Sequence, residues 1–179
     1  CLLQEDTIGS IEVAEALPED VKSALRSSRQ LAWLAVHEDA VAALTNLRAL
    51  AWVVQAESIF QENSMEAISL PAIADRLWVY WTGGKTKLQN LLIKMAEREA
   101  SFERSFAISE LGLEFTGAFD ERPQQFPLRL NTRENRFEFQ HDLAADWARF
   151  QRLKEIAHRT AEWAVFASNP LWHNALRML

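Results

Sequence analysis

The sequence predicts a mainly α protein: a helical bundle, then a smaller module of helices with one β-hairpin, then a long C-terminal helix. Three observations carry this. Gly and Pro number five each in 179 residues, so chain breaks are few, while the helix formers Ala, Leu and Glu are abundant. Apolar residues recur with helical period along most of the chain. One stretch, Leu128 to His141, alternates apolar and polar residues across a polar turn, the pattern of a hairpin.

Each element has its own cause. Residues 1–17 have weak periodicity and form a lead-in. Pro18 suits a first helical turn, and Glu19 and Asp20 favour the positive end of the dipole, so a short helix runs to about Arg26. Leu31, Leu34 and Ala35, then Val41, Ala42 and Leu44, suggest two more short helices with "HEDA" as the break. Leu47, Leu50, Ala51, Val54 and Ser58 place a helix from Asn46 to about Gln61. Glu62–Ile68 is a polar connector.

Pro71 then opens the strongest amphipathic pattern in the chain. Leu70, Ile73, Ala74, Leu77, Trp78 and Trp81 fall on one face, and Gly83 ends the helix because glycine takes the left-handed conformation without strain. A further helix begins near Lys85, with Leu88, Leu91, Leu92, Met95, Ala96 and Phe102 as its apolar face. Ser105–Ser109 is expected as a short strand, with Ser109 capping a short helix through Gly112. Residues 114–127 are irregular. In the hairpin that follows, Leu128 and Leu130 share one face, as do Phe137, Phe139 and His141. A long helix is expected from Leu143 to about Ser168, with Asp142 at its N-cap, and Pro170 opens one more helical segment. Helices preceding a two-stranded wing describe a winged-helix-like module. The layout is a lead-in (1–17), a helical domain (18–68), a winged-helix-like domain (69–142), and an exit helix with the start of a following helical region (143–179).

Composition restricts function. The net charge is −6 and the pI about 5.3, which argues against a dedicated nucleic-acid binder, since such a protein needs a basic face to release counterions. Cys1 is the one cysteine, so no internal disulfide forms; a reducing, cytoplasmic setting fits. No apolar run reaches the roughly 20 residues that span a bilayer. A chain opening on Cys1 and running into a polar segment is expected to be part of a longer protein.

The "GGKT" at Gly83–Thr86 resembles the tail of a phosphate-binding loop, but the loop's first glycine should stand at position 79. Val79 is there, among Trp78, Tyr80 and Trp81, after a helix instead of a strand, so a helix stop is the better reading. His37, His141, His158 and His173 do not pair at ligand spacing, so no metal is expected. No nucleophile elbow is present. Asp142 and Asp146 are expected as solvated first-turn carboxylates, and Glu155–Arg159 as a surface ion pair. The segment where a DNA-recognition helix would lie, "ISELGLEFTGAFDE", has no Arg or Lys and four acids; Arg129, Arg133 and Arg136 around the hairpin are the only argument for DNA. The most informative constellation is "RFEFQHD", Arg136–Asp142. His141 ends a strand at the positive end of a long helix, a position that suits holding a phosphate oxygen. The same His141 shares the apolar face of Phe137 and Phe139, so a buried core histidine is the competing reading.

"FEFQHD" opening a long helix, after a winged-helix layout and a helical domain, resembles the C-terminal part of STAND signalling ATPases, the group of apoptosome ATPases, plant resistance proteins, NACHT proteins and bacterial antiphage sensors. The segment "ISLPAIADRLWVYWTGGKTKLQNLLIKMAEREA" is similar to the helices after the nucleotide-binding core in bacterial members. The family pattern is Met-His-Asp; here Gln140 stands in the Met position. The resemblance implies that His141 contacts the β-phosphate of bound ADP and that Asp142 fixes its helix and loop. The family's adenine-packing proline has no match in "LTNLRALAWVV". The Walker A and B motifs are absent from the chain, so the resemblance implies a non-catalytic regulatory segment. ATP or ADP would be bound mainly by a nucleotide-binding domain N-terminal to Cys1, the protein would oligomerise on activation, and the setting would be antiviral defence. The alternatives are a winged-helix DNA-binding regulator and a plain helical interaction module.

Overall fold

A computed structural model describes residues 15–61, 69–101, 103, 105–107, 110, 112, 115 and 117–179. The polar connector, the apolar position Phe102 and the proposed Ser109 cap lie outside these residues. The fold is mainly helical with one small antiparallel sheet.

The first helices form the bundle. Helix α1, Pro18–Arg26, buries Val21 and Leu25. A 3₁₀ turn, Ala32–Val36, leads into α2, Glu38–Ala43, so "HEDA" starts a helix instead of breaking one: His37 is extended, and Glu38 and Asp39 occupy the first turn, where carboxylates suit the dipole. Helix α3, Leu47–Gln55, is capped by Asn46, whose side chain accepts from the Arg48 and Ala49 N–H groups. It is shorter than the periodicity predicts. After Ala56 the chain tightens into a second 3₁₀ turn, Glu57–Ile59, which leaves Phe60 fully buried.

Helix α4, Leu70–Thr82, has Ser69 as its cap and buries Ile73, Ala74, Leu77, Trp78 and Trp81, the predicted face. It ends at Gly83 with φ +59°, and Gly84 continues at φ +71°, a backbone region that only glycine enters cheaply. Lys85 then occupies the N-cap position of α5, Thr86–Glu99, without a side-chain capping bond. The Lys85 ammonium pairs with the Glu121 carboxylate at 3.0 Å and donates to the Glu121 carbonyl at 3.2 Å. The lysine of "GGKT" is thus spent on a structural contact.

The sheet has the order β1-β3-β2, all antiparallel. Strand β1, Phe106–Ala107, lies inside the predicted short strand. The hairpin strands are β2, Leu128–Asn131, and β3, Arg136–Phe139. Leu128 pairs with Phe139 and Leu130 with Phe137, which puts Leu128, Phe137 and Phe139 into the core. At the tip Asn135 takes φ +52°, a conformation asparagine tolerates better than most side chains.

The C-terminal part corrects the expected long helix. Helix α6 spans Asp142–Glu155 and α7 spans Thr160–Ala167. Between them Ile156 turns out of helical geometry while staying buried, and Ala157, His158 and Arg159 face solvent. The apolar stripe that holds α6 to the core ends at Ile156, so nothing holds the next turn in line. The break also re-pairs the charges: Glu155 bonds Arg152 at 3.2 Å and Arg159 bonds Glu162 at 3.4 Å, in place of each other. Asn169 caps a last 3₁₀ turn, Pro170–Trp172, followed by α8, His173–Arg177. Trp172, Ala175 and Met178 return this segment to the core. Among the described residues, no helix is long and apolar enough to cross a membrane.

Candidate functional site

The site is the corner where β3 passes into α6. Gln140 anchors it: its side-chain amide donates to the carbonyls of Phe126 and Leu128, both at 3.2 Å, and its backbone N–H donates to the Pro127 carbonyl at 2.9 Å. The residue in the Met position is therefore a clamp on the start of β2.

His141, not Asp142, is the N-cap of α6. It is extended (φ −159°, ψ 142°), and its Nδ1 accepts a hydrogen bond from the Leu143 N–H at 3.1 Å. Asp142 is the first helical residue and is exposed. Sequence reasoning favoured Asp142 because carboxylates cap helices far more often than imidazoles. Here an aspartate one residue further on satisfies the dipole from inside the first turn. The two predicted site residues, adjacent in the chain, stand at one corner, with the cap on His141 instead of Asp142.

The cap fixes the chemistry of the ring. An Nδ1 that accepts a hydrogen bond carries no proton, so the neutral imidazole holds its proton on Nε2. His141 is half-buried, and Nδ1 takes up its one hydrogen bond among the described residues. Its Nε2–H is a spare donor at the positive end of a 14-residue helix. An anion acceptor suits that position. The ring also meets Trp52 of α3 edge-on, with centroids 6.0 Å apart and planes at 85°. His141 therefore shares features of both sequence readings: an aromatic neighbour on one side and an unused donor on the other.

Asp146 departs from expectation. It is buried, not solvated. Arg149, itself buried, donates to Asp146 at 2.8 Å and to the Glu99 carboxylate, and its Nε reaches the Ala96 carbonyl at 3.3 Å. Asn174 of α8 donates to the other Asp146 oxygen at 2.9 Å. The network ties α5, α6 and α8 together and borders a cleft of about 250 Å³ that Asp142 also lines. Burial raises the Glu99 carboxyl above its ordinary range, against the pull of Arg149. Burial likewise raises Asp146, against the Asn174 hydrogen bond and Arg149. The arginine's partner lies fifty residues away in sequence, so no local pattern announces the network.

The hairpin arginines are largely neutralised in place. Arg129 bonds Glu138 at 2.8 Å. Arg136 donates to the Ser105 hydroxyl and carbonyl, at 2.9 and 2.6 Å, and meets Glu110 at 3.4 Å. Of the hairpin arginines, Arg133 has a guanidinium without a partner among the described residues. Six of the fourteen residues of the segment where a recognition helix would stand lie outside the described residues. No group of three or more His, Cys, Asp or Glu that could hold a metal ion occurs among the described residues.

Compared with protein-family models, with curated proteins and with solved structures, the chain matches none.

Proposed function

We propose that this chain is the helical plus winged-helix regulatory segment of a STAND-type signalling ATPase, a nucleotide-state sensor with no catalytic machinery of its own. The observation that carries the reading is the capping of α6 by His141 through Nδ1, which leaves an Nε2–H donor at the helix's positive end. That donor, where the wing's last strand meets the next helix, is the chemistry a phosphate oxygen needs. Gln140 and Asp142 serve it, one by clamping the corner to β2 and the other by completing the first turn.

Bound ADP would supply the β-phosphate oxygen as acceptor, with the remainder of the nucleotide held by a nucleotide-binding domain N-terminal to this chain. His141 then holds the wing against that domain and keeps the protein quiet. When the acceptor is no longer within reach, the corner is released, the wing swings and surfaces for homo-oligomerisation are freed. A ligand shifts such an equilibrium only by its differential affinity for the two states. One hydrogen bond to a charged group contributes about 1.5–3 kcal/mol, roughly tenfold to over a hundredfold in the equilibrium. A cytoplasmic protein of antiviral defence is the setting this reading implies.

The expected result in the full-length protein is that His141→Ala weakens ADP binding by that factor and raises spontaneous activity. Equilibrium binding of a fluorescent ADP and a ligand-free activity assay check it. A variant that keeps wild-type ADP affinity and stays quiet removes the basis of the assignment.

A further inference from the structure

We infer that Trp52 is a positioning residue for His141: its indole restrains the plane of the imidazole, so the aim of the Nε2 donor depends on the seating of α3 against the start of α6. The inference rests on the reading of His141 given above and adds the element that controls it.

The Leu143 N–H fixes the tautomer of the ring and anchors one of its edges. It does not by itself fix the ring plane, because the second side-chain torsion of histidine has broad, roughly two-fold wells. A second restraint is needed, and Trp52 is the one ring that meets His141 among the described residues. Their edge-on arrangement lies within the favourable range for aromatic pairs.

Trp52 is itself held. It is buried in the face of α3 that also buries Ala49, Leu50 and Val53. Its indole lies edge-on to Trp81 of α4, with centroids 4.8 Å apart, and against Trp147 of α6 at 5.4 Å. Trp81 and Trp147 stack on each other at 5.4 Å and 23°. The imidazole thus sits between the first turn of its own helix and an indole from the helical bundle, and that indole is locked by one ring from α4 and one from α6. Displacing α3 removes one of the two restraints on His141 and leaves the cap. The corner therefore reports the position of the bundle as well as the presence of an anion.

Nitrogen-edited NMR of the nucleotide-free chain tests this. The wild-type His141 should show one tautomer, protonated on Nε2, with cross-peaks from its ring protons to the Trp52 indole. Trp52→Phe keeps an aromatic ring and should keep that tautomer. Trp52→Leu leaves the cap and therefore the tautomer, but should broaden the His141 ring resonances as the ring plane loosens. Trp81→Leu loosens the indole's support but keeps the indole beside His141, and should disturb the ring less than Trp52→Leu does. In the full-length protein Trp52→Leu should lower ADP affinity roughly two- to tenfold, the weight of one aromatic contact. Absent wild-type cross-peaks overturn the inference without any variant needing to fold, and so does Trp81→Leu disturbing His141 as much as Trp52→Leu does. If His141 responds as expected while ADP affinity is the same in every variant, the positioning stands and the phosphate reading falls.

Discussion

Arg149→Met destabilises the fold by about 3–5 kcal/mol, the cost of leaving buried charges without their partner. The guanidinium is buried between Glu99 and Asp146 and donates to both. Methionine fills similar volume, so the loss reflects charge more than cavity. The effect has a pH signature. Burial raises both carboxyls in the folded state, so the folded protein binds more protons than the unfolded chain between each unfolded value and the raised one. Their contribution is fully present below the unfolded values and is lost as pH rises through the folded ones. Without Arg149 the carboxyls are raised further and that window widens upward. Urea unfolding should therefore find the Arg149→Met deficit smaller at pH 5 than at pH 8. A deficit under about 1 kcal/mol, or one independent of pH, would show that the network does not carry buried charge.

Trp147→Ala has an effect of similar size, about 3–5 kcal/mol, for a different reason. Trp147 is fully buried and joins α6 to α3 and α4 through its contacts with Trp52 and Trp81. Truncation opens a cavity where three helices meet. Among the described residues the indole N–H of Trp147 has no hydrogen-bond partner, and an unpaired buried donor costs about 1–3 kcal/mol. Trp147→Phe relieves that donor while retaining much of the ring, so it should cost well under half of what alanine costs. Denaturant midpoints measure both, and the near-ultraviolet dichroism of the stacked indoles should collapse in the alanine variant. Equal losses for Phe and Ala would mean that ring packing is not what Trp147 contributes.

The legible parts of the fold were those in which local chemistry and packing agree. Helix α4 has a proline in its first turn, one apolar face and a glycine stop, and each appears where the pattern places it, while its Ser69 cap emerges only in the structure. The hairpin alternates in sequence and its register follows, although Leu130 is exposed. The break after α6 was not legible, because no glycine or proline marks it; it comes from the end of a buried stripe at Ile156. The early end of α3 is similar, with Phe60 drawn into the core beyond a 3₁₀ turn. At the site, His141 and Asp142 could be named from their place between strand and helix. Their order of work could not, since capping preference favours the carboxylate. Trp52, Glu99 and Arg149 were invisible as site residues. Their partners are remote in sequence, and each sits in an otherwise ordinary helical pattern.

The central claim is that His141 acts through Nε2 toward a phosphate and not only as a helix cap. His141→Asn separates these roles. Asparagine is among the best N-caps, so the variant should stay within about 1 kcal/mol of wild-type stability even without the Trp52 contact. It lacks the imidazole Nε2–H. The most direct measurement is calorimetric titration of the full-length His141→Asn protein with ADP. A loss of affinity of roughly tenfold or more in a protein of near wild-type stability is the predicted result. Unchanged ADP affinity in that same folded protein would contradict it, and would leave His141 as a cap and nothing more.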